Sequence, residues 1–173
     1  MSKLKQQLKT WDGKSADDIA AIYHICRSLP NFINKTIKLM QNTEFQCGAS
    51  WLLKYHCEQG GKITPLQVIN IYRQVNELEH WSSQLHILQT MPSLPITQEN
   101  QTIVESFLRR CIVSDNKFVR AWAYNGFDIL ATQHVQFRKE VDQFLEMAMR
   151  DEAASVKARI RNITKQRKTS GNK

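Results

Sequence analysis

Four prolines and six glycines in 173 residues are too few for a loop-rich or collagen-like chain, and they leave long stretches free to form regular structure. Four cysteines with no C-x-x-C pair, in an otherwise apolar-rich chain, do not read as a disulfide-stapled domain. Long apolar runs are missing too. Met1 to Trp11 carries Lys3, Lys5 and Lys9 but lacks the apolar stretch of an export signal. Nothing approaches the length of a membrane span. The expectation is a soluble cytoplasmic protein with no membrane partner. There is no phosphate-cradling glycine loop, no H-E-x-x-H and no nucleophile elbow. His24, His56, His80, His86 and His134 are scattered. Only His24 with Cys26 and His56 with Cys57 resemble metal-ligand neighbours, and on a helix such close neighbours point apart. No metal, cofactor or catalytic set is therefore expected.

The hydrophobic fraction of 42% supports a real core in one domain or one short repeat array. The net charge of +8 is carried by the ends: +3 over 1–14, +6 over 150–173 and −1 over the body between. The expected organisation is a basic N-terminal segment at 1–14, a helical domain at 15–167 and a basic tail at 168–173. Cys47 and Cys57 fall in one predicted helix, about 15 Å apart at 1.5 Å per residue, too far for a disulfide. All four cysteines read as buried thiols in apolar helical patterns.

Helical spacing recurs throughout and strand alternation does not, so the fold class is all-α. The first helix starts near Ala16 behind the cap Ser15, buries Ile19, Ile22, Cys26 and Leu29, and ends at Pro30. Others are predicted at about 31–41, 44–58, 65–77, 79–91, 98–113, 117–132, 136–149 and 153–166. Thr64-Pro65 supplies a cap and a proline at the first helical position. Helices this short need packing to persist.

Four of them share a pattern. With Ala49, Leu85, Ala123 and Ile160 taken as equivalent, the spacings are 36, 38 and 37 residues. Four positions earlier stand Phe45, Trp81, Val119 and Val156; three later stand Leu52, Leu88, Gly126 and Ile163. Two earlier are the mostly small Cys47, Ser83, Ala121 and Ala158. A polar turn with Asn42, Glu77, Asp115 or Asp151 precedes each helix.

Ser114-Asp115-Asn116-Lys117-Phe118-Val119-Arg120-Ala121 and Asp151-Glu152-Ala153-Ala154-Ser155-Val156-Lys157-Ala158 resemble HEAT repeats, whose turn carries an acid and whose second helix opens with Val then Arg or Lys. The resemblance spans about 31–166. Phe45-Gln46 and Trp81-Ser82 depart from the pattern, and the period is shorter than the usual range of about 40–47 residues. The resemblance implies a right-handed α-α superhelix, a HEAT-like solenoid of about four helix pairs plus an N-terminal cap helix. The pairs would lie at about 31–58, 65–91, 98–132 and 136–166. Each pair would bury one face on its partner and another on its neighbour, which accounts for Trp51 and Tyr55 lying away from the Ala49 and Leu52 stripe.

In that family the second helices line a concave face. Positions one and five residues after Ala49, Leu85, Ala123 and Ile160 fall together on a helix, which selects Ser50, Lys54, His86, Thr90, Tyr124, Asp128, Arg161 and Lys165 as a candidate binding row. Lys157, Arg161, Lys165 and Lys168 form a basic patch on the last helix, while Arg167 points toward its apolar side. The first functional reading is a non-enzymatic scaffold that binds a protein or peptide along the row. Nucleic-acid binding through the basic patch is the second. The third follows from resemblance to the HEAT-like alkylpurine DNA glycosylases, with Tyr124 and Asp128 as the comparable pair. On that reading Trp122 departs from the family by facing the core.

Overall fold

A computed structural model describes residues 2–170, and the described residues are helical with no strand. They separate into two compact units between Pro95 and Ile96. No described helix is long and apolar enough to cross a membrane.

The first unit opens with a helix inside the basic segment 1–14, where the sequence pattern predicts none. This helix, α1 (Lys3–Thr10), is capped by the Ser2 hydroxyl, which accepts from the Lys5 amide. Leu4 and Leu8, one turn apart, are buried. Two leucines among three lysines are enough to hold a helix, but only once they have a surface to pack on. Helix α2 (Ala16–Cys26) follows, with Ser15 accepting from the Asp18 amide and Asp17 and Asp18 in the first turn. Next come α3 (Phe32–Leu39), α4 (Thr43–Glu58), α5 (Pro65–Tyr72) and α6 (Trp81–Thr90). Thr64 and Gln67 close a reciprocal capping box ahead of Pro65.

Helix α4 is the hub, packing against α1, α2, α3 and α6, while α5 lies on α3. Its buried side carries Phe45, Ala49, Leu52 and Leu53. Leu4, Leu8, Ile19, Ile22, Tyr23, Cys26 and Phe32 close on Phe45 and Leu52 as one cluster. Gly48 lets α1 come close: a Cβ there would lie 2.7 Å from Leu8 Cδ2 and 3.2 Å from the Trp11 ring. Beyond α6, the Tyr72 hydroxyl donates to the Leu94 carbonyl at 2.7 Å and ties down the segment leading to Pro95.

The second unit contains α7 (Gln101–Ile112), α8 (Lys117–Gln133), α9 (Arg138–Asp151) and α10 (Ala154–Ser170). Here α8 is the hub and packs on the other three. Val119, Ala123, Phe127 and Leu130 of α8 are buried, as are Phe107 and Cys111 of α7, Val141 and Leu145 of α9, and Val156, Ile160 and Ile163 of α10.

A repeated polar clamp marks the helices that follow the turns. Gln46 Nε2 donates to the carbonyls of Met40 at 3.2 Å and Glu77 at 3.3 Å, while its Oε1 accepts from the Glu79 amide at 2.9 Å. In the second unit Arg120 donates to the Ser114 and Asp115 carbonyls at 2.8 and 3.1 Å and pairs with Glu152 at 3.0 Å. Gln84 Nε2 donates to the Leu78 carbonyl at 3.0 Å. In all three cases the side chain reaches a carbonyl six residues back.

This clamp corrects the repeat register within α6. The sequence alignment places Trp81 and Leu85 in interior slots. In the structure Trp81 is 51% exposed and Leu85 is only half-buried, whereas Ser83, Ile87 and Thr90 are buried. The matching interior set is therefore Ala49, Ile87, Ala123 and Ile160, two residues later in α6 than the sequence pattern suggests. Leu88 is buried as expected.

Candidate functional site

The predicted row divides between the two units. In the first unit Ser50, Lys54, His86 and Thr90 do come together, but in the seam where α6 packs on α4. Ser50, His86 and Thr90 are buried and Lys54 is half-buried. Ser50 Oγ donates to the Cys47 carbonyl at 2.9 Å and lies 3.0 Å from His86 Nδ1. Having given its one proton to the carbonyl, the hydroxyl accepts from Nδ1–H of a neutral imidazole. Thr90 Oγ1 donates back to the His86 carbonyl at 2.7 Å, and Lys54 pairs with Glu58 at 2.6 Å. Burial, helped by the positive charge of Lys54, pushes the His86 pKa down to about 3, although the nearby Cys47 carbonyl opposes this. Ser50 and His86 join the two helices, and of the four residues His86 also borders open space.

In the second unit Tyr124 is 7% exposed, and burial together with the neighbouring Glu152 carboxylate raises its hydroxyl to about 12. Its ring reaches a shallow hollow of about 360 Å³ shared with Ile112, Val113, Phe144 and Met147. Asp128 pairs with Arg138 at 3.0 Å and Arg167 at 2.6 Å; Arg167 also reaches Asp142 at 2.7 Å. Arg167 therefore belongs to an ion network, and the helix runs on past it to Ser170. Trp122 is half-buried, with the Arg159 guanidinium 3.9 Å above its ring. Arg161 and Lys165 are exposed, as is Lys168, while Lys157 is half-buried and donates to the Arg150 carbonyl at 2.9 Å.

A concavity lies in the first unit, against the same α4–α6 seam. It is a groove of about 600 Å³ bordered by Lys14, Thr43, Glu44, Cys47, Trp51, His80, Trp81, Ser82, Leu85 and His86. Trp51 forms its inner wall, tilted over the His86 ring at 5.1 Å and met edge-on by Trp11 at 5.5 Å. Trp81 stands exposed at the rim. Cys47 Sγ lies 3.1 Å from Ser82 Oγ, and burial raises the thiol above its ordinary pKa, so it is no ready nucleophile. Among the described residues no group of three or more His, Cys, Asp or Glu side chains could hold a metal ion.

Of the groove residues, only His86 belongs to the row that helical spacing selects. The repeat pattern puts Trp81 and Leu85 in the interior and explains Trp51 by packing. The signal that could have found the groove is the polar Ser82 beside Trp81, where the repeat pattern asks for a cation after an interior residue. Compared with protein-family models, with curated proteins and with solved structures, the chain matches none.

Proposed function

We propose that this chain is a non-enzymatic interaction module of HEAT-like type that binds a protein segment or peptide, with the groove beside α4 and α6 as its binding site. The observation that carries the reading is Trp81: a large aromatic left 51% exposed at the lip of a groove walled by Trp51 and Leu85. Tryptophan is enriched among residues that dominate binding energy, because a rigid indole buries much area at little entropic cost. Lys14, Thr43, Glu44 and His80 give the groove a polar rim around an apolar centre, the usual anatomy of a peptide-binding surface.

The HEAT-like assignment rests on layering within each unit. Helix α5 lies on α3 and α6 on α4 in the first, and α10 lies on α8 in the second. The shared clamp of Gln46 and Arg120 adds to it. A glycosylase reading would need Asp128 free to face a cationic base, and two guanidiniums already occupy it.

The test is selection of peptides from a random display library on the full chain, followed by affinity measurement on Trp81→Ala. Loss of an anchor worth about 2 kcal/mol weakens the selected peptides roughly 30-fold while leaving the unfolding midpoint in place. Failure to enrich any peptide, or equal affinity for the variant, would reject the groove as the site.

A further inference from the structure

We propose that the outward face of α10 binds the phosphate backbone of double-stranded nucleic acid without reading base sequence. The helix carries six cations and no acid over residues 154–170. Three are committed within the unit. Arg159 covers the Trp122 ring, Arg167 is held by Asp128 and Asp142, and Lys157 caps the α9 carbonyl of Arg150. Arg161, Lys165 and Lys168 are exposed and pair with no carboxylate among the described residues. At about 100° per residue, Lys168 and Lys165 project within about 20° and 40° of Arg161, along roughly 10 Å of helix. Arg159, Arg167 and Lys157 have partners within the unit, so the exposed three are not needed to hold the fold.

The chemistry of that face selects its occupant. A helix lying in a membrane surface needs large apolar side chains beside its cations, and α10 exposes none. A protein partner would look for an aromatic or aliphatic anchor, also missing from this face. Single strands are gripped by stacking bases on aromatic rings, and the Trp122 ring is covered by Arg159. A row of solvent-facing cations without apolar or aromatic company suits the regular negative charge of a duplex backbone, where binding comes from counterion release. The surface lies in the second unit and the peptide groove in the first, so either can fail without the other.

The experiment is fluorescence anisotropy of a labelled DNA duplex of arbitrary sequence with the full chain. Three neutralised phosphates give a salt slope of about −2.7, so affinity should fall about 40-fold between 50 and 200 mM salt. The triple variant Arg161→Gln, Lys165→Gln and Lys168→Gln should lose at least about tenfold in affinity at low salt and show a flatter slope, with its unfolding midpoint unchanged. A matched variant, Lys35→Gln, Lys38→Gln and Lys62→Gln, removes the same net charge from exposed sites of the first unit and should bind as wild type. Equal affinity of wild type and the α10 variant, a salt-independent signal, or no binding at low salt would overturn the proposal. So would tighter binding to the single strand or to phosphatidylserine vesicles than to the duplex.

Discussion

Acid should unfold this protein in part through one imidazole. His86 sits 8% exposed between α4 and α6, with Trp51 over its ring and Ser50 on Nδ1. Protonation would place a cation in a desolvated seam already facing Lys54, which is why its pKa falls to about 3. The unfolded chain takes up that proton near the ordinary value of about 6.5, well before the folded chain does. The stabilisation from a neutral His86 is therefore fully present above pH 6.5 and is lost as pH falls toward 3. At pH 4.5 the difference is two pH units below the unfolded pKa, about 2.7 kcal/mol at about 1.36 kcal/mol per unit. Urea unfolding of wild type and His86→Gln near pH 7 and pH 4.5 isolates this contribution, since carboxylate titrations are common to both proteins. Glutamine keeps a polar group opposite Ser50 but cannot titrate. The variant, less stable near neutrality, should lose about 2.7 kcal/mol less than wild type on acidification. Parallel pH dependence in the two proteins, or a His86 ring titrating near 6.5 by NMR, would refute the burial argument.

Arg120→Ala removes a partly buried ion pair and two carbonyl bonds and should cost about 2–3 kcal/mol by denaturant unfolding. Arg120→Lys should recover only part of this, because one ammonium cannot span Glu152 and the turn carbonyls together; a loss below about 0.5 kcal/mol in the alanine variant would deny the clamp its role. Gly48→Val drives methyl groups into Leu8 and Trp11 and should cost about 1–3 kcal/mol, with faster proteolysis around Asp12 to Lys14 as α1 loosens. Unchanged cleavage would mean that α1 is held by other contacts. Tyr124→Ala should lose about 3 kcal/mol and Arg161→Ala less than about 0.5 kcal/mol in thermal unfolding, because the first is interior and the second faces solvent. Equal effects would contradict that division.

The helices from α2 onward were legible because caps and breakers stand at their ends: Ser15, Pro30, Asn42, Thr64-Pro65 and Asn116. Helix α1 was not, since its lysines resemble a solvated tail until Leu4 and Leu8 have α4 to rest on. The candidate row was legible as a set of neighbours in the first unit but not as a surface. Angular position on a helix says which residues adjoin; whether that flank meets water depends on the next helix, and α6 covers it. Asp128 shows the same limit in the second unit, where its partner Arg167 lies 39 residues away in sequence.

Register in α6 failed for a more instructive reason. Small size at Ser83 matches Ala121 and Ala158, and apolar character at Trp81 and Leu85 matches interior slots. Both are weak criteria, because small residues are tolerated on several faces of a packed helix and an exposed tryptophan is apolar all the same. A long side chain with an amide or guanidinium is a stricter marker: Gln46, Gln84 and Arg120 each satisfy a turn carbonyl six residues back. Aligning on those three gives spacings of 38 and 36 residues, buries Ile87 and turns Trp81 outward onto the groove lip. The need to satisfy turn carbonyls thus sets where the interior lies in α6, and with it the residue on which the proposed peptide site depends.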